Sequence, residues 1–322
     1  MIPEIRSWQY ELRHAINNPL ELLELVGLSN SELKLATQTK FKLKVPRGYV
    51  ARMRYGDIND PLLKQVLPLI DETEEVEGFN LDPVGDFAAE KVPGLLQKYH
   101  GRVLLVTTAA CAIHCRYCFR QHFDYKSLNT KSILNEIASD SSIKEVILSG
   151  GDPLNIIDSR LSELAYSLSE IPHLKRLRLH TRLPIVLPER VTDELLNWLT
   201  ATKLQPVIVI HANHANEIDE QVCLALTKLV DAGITVLNQS VLLRGINDKA
   251  IDLIELSETL FSCRVLPYYL HVLDKVQGAA HFEVAAETAA VLLEQMRKGL
   301  PGYLVPRMVR EVAGVEFKLP IT

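Results

Sequence analysis

The chain of 322 residues has no apolar run long enough to cross a bilayer, which excludes a membrane-spanning helix. Its first residues, Met1-Ile-Pro-Glu-Ile-Arg6, lack the charged-then-apolar pattern of a secretory signal. Positive charge is not in excess. Lys and Arg number 35 against 40 Asp and Glu, a net charge of −5, so nothing draws the whole chain to nucleic acid or to an anionic membrane. No internal repeat or low-complexity tract is visible. Cysteine is scarce: five residues, three of them bunched, do not look like a disulfide framework. These absences point to a cytoplasmic protein in a reducing compartment. What is abundant is hydrophobic residues, at 47%, enough for one large α/β domain or two smaller ones and too many for extended disorder.

The bunched cysteines read Cys111-Ala-Ile-His-Cys115-Arg-Tyr-Cys118, and they follow an apolar segment at 103–107. Thiolates are the usual protein ligands of iron–sulfur clusters. Three of them leave one iron of a [4Fe-4S] cubane without a protein ligand. That open iron can take the amine and carboxylate of S-adenosylmethionine, and an electron from the cluster can then cleave the sulfonium bond. Two other readings stay open here. Cys115 and Cys118 could form a redox dithiol, with Cys111 surplus. A zinc site would need a fourth ligand, for which His114 is the near candidate. Cys223 and Cys263 stand alone and read as buried small apolar residues.

Residues 1–100 read as a wrapping, mostly helical extension. Leu20, Leu22, Leu23, Leu25 and Val26 follow the breaker Asn18-Pro19 with helical spacing, and Asp60-Pro61 opens a second short helix over 62–67. The alternation over 40–46 is cut by Pro46, and 71–91 is acidic and irregular. From Arg102 a βα rhythm begins. Strands are expected at 103–107, 145–148, 176–180, 206–211, 235–239 and 264–270, and helices at 131–139, 161–170, 193–199, 219–232 and 249–261. A last helix over 284–298 precedes a short tail. Six such units imply a parallel sheet wound with one hand and fall short of the eight that close a TIM barrel, so an open, partial (β/α)6 barrel is expected over 101–299. Chemistry in such barrels sits where strands end, and the cysteines lie just past the first strand.

Other strand ends carry polar residues. Ser149-Gly-Gly-Asp-Pro-Leu154 follows the second strand; alone it reads as a turn. His211 and Gln239 lie where they can face the barrel mouth and bind cofactor. His211, His214 and Glu217 suggest a metal site less well than the cysteines do. Asp274 lies beyond the sixth strand, and Lys318 in the tail would ordinarily be a solvated charge.

The cysteine spacing resembles the signature of the radical S-adenosylmethionine enzymes, with Tyr117 as the aromatic residue before the last cysteine. A closer resemblance, from roughly residue 35 onward, is to the lysine 2,3-aminomutases. It rests on Cys118-Phe-Arg120, Ser149-Gly-Gly-Asp-Pro-Leu, Arg182-Leu-Pro-Ile-Val-Leu-Pro, His211-Ala-Asn-His-Ala-Asn-Glu, Asn238-Gln-Ser-Val-Leu-Leu-Arg and Pro267-Tyr-Tyr. Within that family, Tyr268-Tyr-Leu-His-Val-Leu-Asp-Lys-Val-Gln-Gly-Ala-Ala-His-Phe282 and Pro301-Gly-Tyr-Leu-Val-Pro306 look like the shorter branch, which makes (R)-β-lysine for modifying translation elongation factor P. The resemblance implies a set of roles. Cys111, Cys115 and Cys118 hold the [4Fe-4S] cluster, and Gly150, Gly151 and Asp152 meet the amino group of S-adenosylmethionine. Lys318, in a C-terminal cofactor segment over 300–322, carries pyridoxal phosphate, and Arg102 lies near its phosphate. Arg120 pairs the substrate carboxylate and Asp274 receives the distal ammonium of L-lysine. Glu311 stands where longer members have an aspartate, and reads as a second ammonium contact. The implied partners are an electron donor such as a flavodoxin or ferredoxin and a functional link to the elongation factor P lysyl ligase. The longer members continue past their cofactor lysine into an oligomerisation segment, so their assembly is not expected to carry over. The rival readings are the same chemistry on another amino acid, with two carboxylates arguing against glutamate, and a cluster- or zinc-bearing binding protein without catalysis.

Overall fold

The computed structural model describes residues 7–30, 33–36 and 41–321. Residues 1–6, read above as lacking a signal pattern, and Lys40, where the short alternation starts, lie outside them. The N-terminal region opens with α1 (Trp8–Arg13), α2 (Pro19–Leu25), α3 (Arg47–Val50) and α4 (Pro61–Lys64). Asn18 and Asp60 cap the second and fourth, each followed by proline at the first helical position. Both short helices form where the Asn-Pro and Asp-Pro pairs place them, but α4 stops at Lys64 and the apolar residues to Leu67 continue as turns.

A ten-stranded sheet follows, with its strands in sequence order. It starts with a hairpin, β1 (Glu90–Val92) and β2 (Leu95–Tyr99), that lies antiparallel against β3 (Arg102–Thr108). Six parallel strands then succeed one another: β4 (Glu145–Gly150), β5 (Arg176–Thr181), β6 (Gln205–Ile210), β7 (Thr235–Leu242), β8 (Leu266–Val272) and β9 (Arg307–Arg310). A two-residue β10 (Leu319–Pro320) pairs antiparallel with β9. The long crossover helices are α5 (Thr130–Ser139), α6 (Asp158–Ser169), α8 (Asp193–Thr200), α9 (Glu220–Asp231), α10 (Ala250–Ser262) and α11 (Ala286–Gly299); α7 (Leu183–Val186) is one turn after β5. Asn129, Thr192 and Asp219 cap three of them through side-chain oxygens.

The fold is the expected open α/β barrel of the (β/α)6 kind. Two things differ from the sequence reading. Residues 90–99 join the sheet although their composition matches the region before them. The tail adds β9 and β10. Neither short stretch has a period long enough to announce a strand.

The strand faces explain the interior. In β5, Leu177, Leu179 and Thr181 are buried, while Arg176, Arg178 and His180 alternate with them on the other face. In β7, Val236, Asn238, Ser240 and Leu242 are buried and Gln239 alternates with them. Leu177 and Leu179 pack with Leu161, Leu195 and Leu226 of the helices in one apolar core. The alternate residues therefore turn a polar lining to the inside of the barrel.

Cys223 and Cys263 correct an expectation. They are bonded to each other, with Cα atoms 5.1 Å apart. Forty residues separate them, and only the packing of the start of α9 beside the end of α10 brings them together.

Candidate active site

The cysteine loop leaves the end of β3, and Cys111, Cys115 and Cys118 all carry free thiols. Cys115 and Cys118 both raise Cys111 electrostatically, and Cys115 raises Cys118, so the three sulfurs share one neighbourhood. Burial pushes the Cys118 thiol up to about 11, with Cys115 adding to it, and burial raises Cys111 as well. Cys111 and Cys118 therefore hold their protons until a metal replaces them, and three cysteines in one loop fit an iron–sulfur cluster.

The loop is clamped from outside the barrel. The Lys44 ammonium donates to the carbonyl of Cys111 at 2.8 Å, and the Arg116 amide to that of Gln65 at 2.9 Å. Arg116 is buried and binds Glu72 through two nitrogens, with its third on the carbonyl of Phe41 at 2.6 Å. His114 donates its amide to the carbonyl of Lys44 at 2.9 Å and sets Nδ1 2.6 Å from the carbonyl of Lys42. His114 thus faces the N-terminal region.

From the β4 side, the amides of Gly151 and Asp152 donate to the carbonyls of Thr108 and Ala110 at 2.6 and 2.8 Å. A Cβ on Gly151 would lie 2.5 Å from the Ala110 carbonyl oxygen. Gly150 has φ +120°, and a Cβ there would lie 2.8 Å from the Thr108 oxygen. The glycines are needed first for this approach to the cysteine loop. The Asp152 carboxylate turns to the end of β5, where it accepts from Thr181 Oγ1 at 2.7 Å and from the amides of Arg182 and Leu183 at 2.7 and 3.2 Å. Burial raises it to about 6. Its oxygens hold the ends of β4 and β5 together.

Arg182, just past β5, is buried beneath the cysteines. Its Nη1 donates to Cys115 Sγ at 2.6 Å, and its Nη2 to Glu217, Gln65 and Tyr49 at 2.7, 2.6 and 3.2 Å. Glu217 also accepts from the amides of Asn213 and His214 at 2.7 and 3.1 Å. That engagement removes the alternative metal site. Among the described residues no three His, Cys, Asp or Glu side chains gather to hold a single metal ion.

A line of alternating charges crosses the interior. Arg120 Nε lies 2.7 Å from Asp86, and its Nη1 donates to Ser149 at 3.1 Å. Asp86 lies 2.6 Å from Lys98 Nζ, which lies 2.9 Å from Glu311, and Glu311 in turn pairs with Lys318. Glu311 would rise on burial alone, but Lys318 and Lys98 hold it down at about 2. Tyr99 also bonds Glu311 and supports the Arg102 guanidinium, 4.5 Å from its ring centre. Arg102 therefore reaches Lys318 through Tyr99 and Glu311. Lys98 and Tyr99 belong to β2 and Glu311 follows β9, so these contacts bridge the open side of the barrel with side chains in place of strand pairing.

The rest of the lining surrounds Lys318. Its Nζ lies 6.0 Å from the ring centre of Tyr269. His211 Nε2 lies 3.0 Å from Gln239 Nε2, and burial lowers His211 and His271 to about 3 each. His180 is lowered by burial, with Arg178, His211 and Lys318 adding to it. These imidazoles are neutral donors and acceptors at physiological pH. Among the described residues, Arg178 Nε, His180 Nε2 and His271 Nε2 are buried without a hydrogen-bond partner, which fits a lining that takes a polar ligand. Asp274, beyond β8, is pushed up to about 7 by burial and by Glu311.

Sequence reasoning singled out Lys318, Arg120 and Glu311, and the structure joins them in one chain of contacts. It missed Asp86, Lys98, Arg178, His180 and His271. The first two sit in the acidic segment and the hairpin; alternation along β5 was the available signal for Arg178 and His180. Glu311 is engaged by two lysines, whereas Asp274 makes no ion pair among the described residues.

The Radical SAM superfamily profile matches residues 105–256. An L-lysine 2,3-aminomutase of Escherichia coli (strain K12) is 45% identical over 99% of this chain and 95% of its own length. Another, of Clostridium subterminale, is 34% identical over 98% of this chain and 77% of its own. Among solved structures, SuiB of Streptococcus suis has a TM-score of 0.49 at 13% identity, covering 66% of this chain and 50% of that one. Near-complete alignment at 45% identity, joined to three clustered thiols at the mouth of an open barrel, places the chain among the isomerases of the lysine 2,3-aminomutase family within the radical SAM superfamily.

Proposed function

We propose that the chain converts L-α-lysine to (R)-β-lysine with pyridoxal phosphate held on Lys318, and that the product serves the modification of elongation factor P. The observation that carries the reading is the line Arg120–Asp86–Lys98–Glu311–Lys318, which sets a carboxylate-binding guanidinium and a reactive amine in one interior. The shorter-branch reading is supported by identity, which is 45% to the Escherichia coli relative and 34% to the clostridial one.

When bound, the cluster and S-adenosylmethionine supply a carbon radical, and pyridoxal phosphate supplies a π-system for the migrating amine. The chain's own residues do the rest. Cys111, Cys115 and Cys118 hold the cluster. Gly150 and Gly151 bring backbone to its edge, while His211 and Gln239 present neutral polar atoms to cofactor. Arg120 offers a planar fork to the substrate carboxylate. Asp274 takes the distal ammonium, which the buried carboxylate favours over a neutral side chain. Glu311 holds Lys318, and Arg102 and Arg178 are the cations on hand for a phosphate. The interior keeps reactive species from solvent. A low-potential donor such as a flavodoxin or ferredoxin supplies the electron, and the elongation factor P lysyl ligase takes the product.

The test is an anaerobic assay of reconstituted protein with S-adenosylmethionine, pyridoxal phosphate, reductant and L-lysine, its products resolved on a chiral column. A β-lysine peak of R configuration is expected, and Lys318→Ala should lose it together with the visible absorbance of bound pyridoxal phosphate. Full turnover in Lys318→Ala would refute the cofactor assignment. Cleavage of S-adenosylmethionine without β-lysine would redirect the search to another amino acid.

A further inference from the structure

Arg182 touches a cluster cysteine, and neither substrate chemistry nor the brace around the loop accounts for that contact. Its guanidinium is buried and places Nη1 2.6 Å from Cys115 Sγ. The same group carries a compensating carboxylate, Glu217, at 2.7 Å, itself fully buried. Gln65, Asn213, Tyr117 and Tyr49 complete a hydrogen-bonded cage that fixes the plane of the fork. All three oxygen acceptors fall on Nη2 and Nε has no hydrogen-bond partner among the described residues, so the sulfur of Cys115 is the acceptor that Nη1 meets.

We propose that Arg182 is a positioning residue for the iron–sulfur cluster. In this role it donates an N–H to the sulfur of Cys115 and thereby raises the cluster's reduction potential. The proposal rests on the assignment of the three cysteines as cluster ligands. Its physical basis is simple. Reduction adds one electron to the cluster from an external one-electron donor, with no bond broken and no proton lost. The added negative charge spreads over iron and sulfur, and a fixed cationic donor at one sulfur stabilises the reduced form more than the oxidised form. Glu217 keeps the site neutral overall, but it lies on Nη2, on the far side of the guanidinium from sulfur. The directed N–H and the nearer positive charge therefore act on the cluster.

Two variants test this. Arg182→Lys keeps the charge but lacks a fork able to reach Cys115 and Glu217 together. Arg182→Gln with Glu217→Gln removes donor and counter-charge at once, so that no buried carboxylate is stranded. Reconstituted proteins would be titrated anaerobically with a redox dye while the reduced cluster is followed by electron paramagnetic resonance, with iron per chain and melting temperature measured alongside. The double variant should show at least a tenfold smaller ratio of reduced to oxidised cluster at a fixed potential, about 59 mV for one electron. Arg182→Lys should show a smaller shift of the same sign at full iron content. An unchanged midpoint in either iron-loaded variant, whatever its melting temperature, would overturn the proposal. So would loss of iron from a folded Arg182→Lys chain, because Arg182 would then serve assembly and not potential. The titration needs neither lysine nor pyridoxal phosphate, so its outcome stands apart from that of the aminomutase assay.

Discussion

Asp274 shows how much of the chemistry depends on where one side chain sits. An ordinary aspartate titrates near 3.8, but burial and the nearby Glu311 charge bring this one to about 7. Two consequences follow, with opposite signs. Between about 4 and 7 the folded chain retains a proton that the unfolded chain releases, so this residue's contribution to stability is lost as pH rises through that window. Replacing it with Asn removes the slope. The melting temperature of the wild type relative to Asp274→Asn should therefore fall between pH 5 and pH 8. Binding runs the other way. A distal ammonium needs the ionised carboxylate, so lysine affinity should fall by about tenfold per pH unit below 7. Calorimetric titration at pH 6, 7 and 8 checks this, and a flat profile would remove Asp274 from the ammonium site. The sequence marked Asp274 by its place after the sixth strand. It gave no sign of the perturbed titration, because Glu311, Lys318, Lys98 and Asp86 all come from distant parts of the chain.

At the scale of elements, the parallel strands were legible because each is a short apolar run between helical patterns, and the observed spans differ from the expected ones by few residues. The hairpin over 90–99 and the tail strand over 307–310 were not. Their pairing is decided by partners across the sheet, which local sequence does not encode. The turn after β4 lies between these cases. Alone, its Gly-Gly-Asp-Pro run reads as a turn, which does not say what packs against it. The structure supplies the cysteine loop, with the Ala110 carbonyl 2.5 Å from where a Gly151 side chain would begin. Because the obstruction is backbone, Gly151→Ala should push the loop outward. We expect a several-fold loss of iron per reconstituted chain with the melting temperature falling by only a few degrees. Full iron loading would show that β4 and the loop can move apart without consequence.

For the whole molecule, the informative region is the one that read as least chemical. Residues 71–91 are acidic and largely irregular, yet they wrap the barrel mouth. Glu72 holds Arg116 between two cysteines, Asn80 pairs with Lys275 and Gln277 beside Asp274, and Asp86 meets Arg120 and Lys98. Irregular backbone carries no periodic signal, so only its charges could have indicated a role. Charges in an acidic stretch ordinarily face water. Here the ionic partners lie inside: Arg116 is 1% exposed and Glu72 7%. Removing one member of a buried pair strands the other, at a cost of about 3–5 kcal/mol. Glu72→Ala should therefore lower stability by about that much. It should also release the cysteine loop, since the Arg116 side chain would lose its only carboxylate partner among the described residues. Denaturant unfolding measures the first effect, and the rate of alkylation of Cys115 and Cys118 in cluster-free protein measures the second. A stable chain with unchanged thiol reactivity would mean that the wrap merely covers the mouth. A loss in both would mean that the N-terminal region holds the cluster loop in shape, and that the barrel over 101–299 without its wrap should not bind iron.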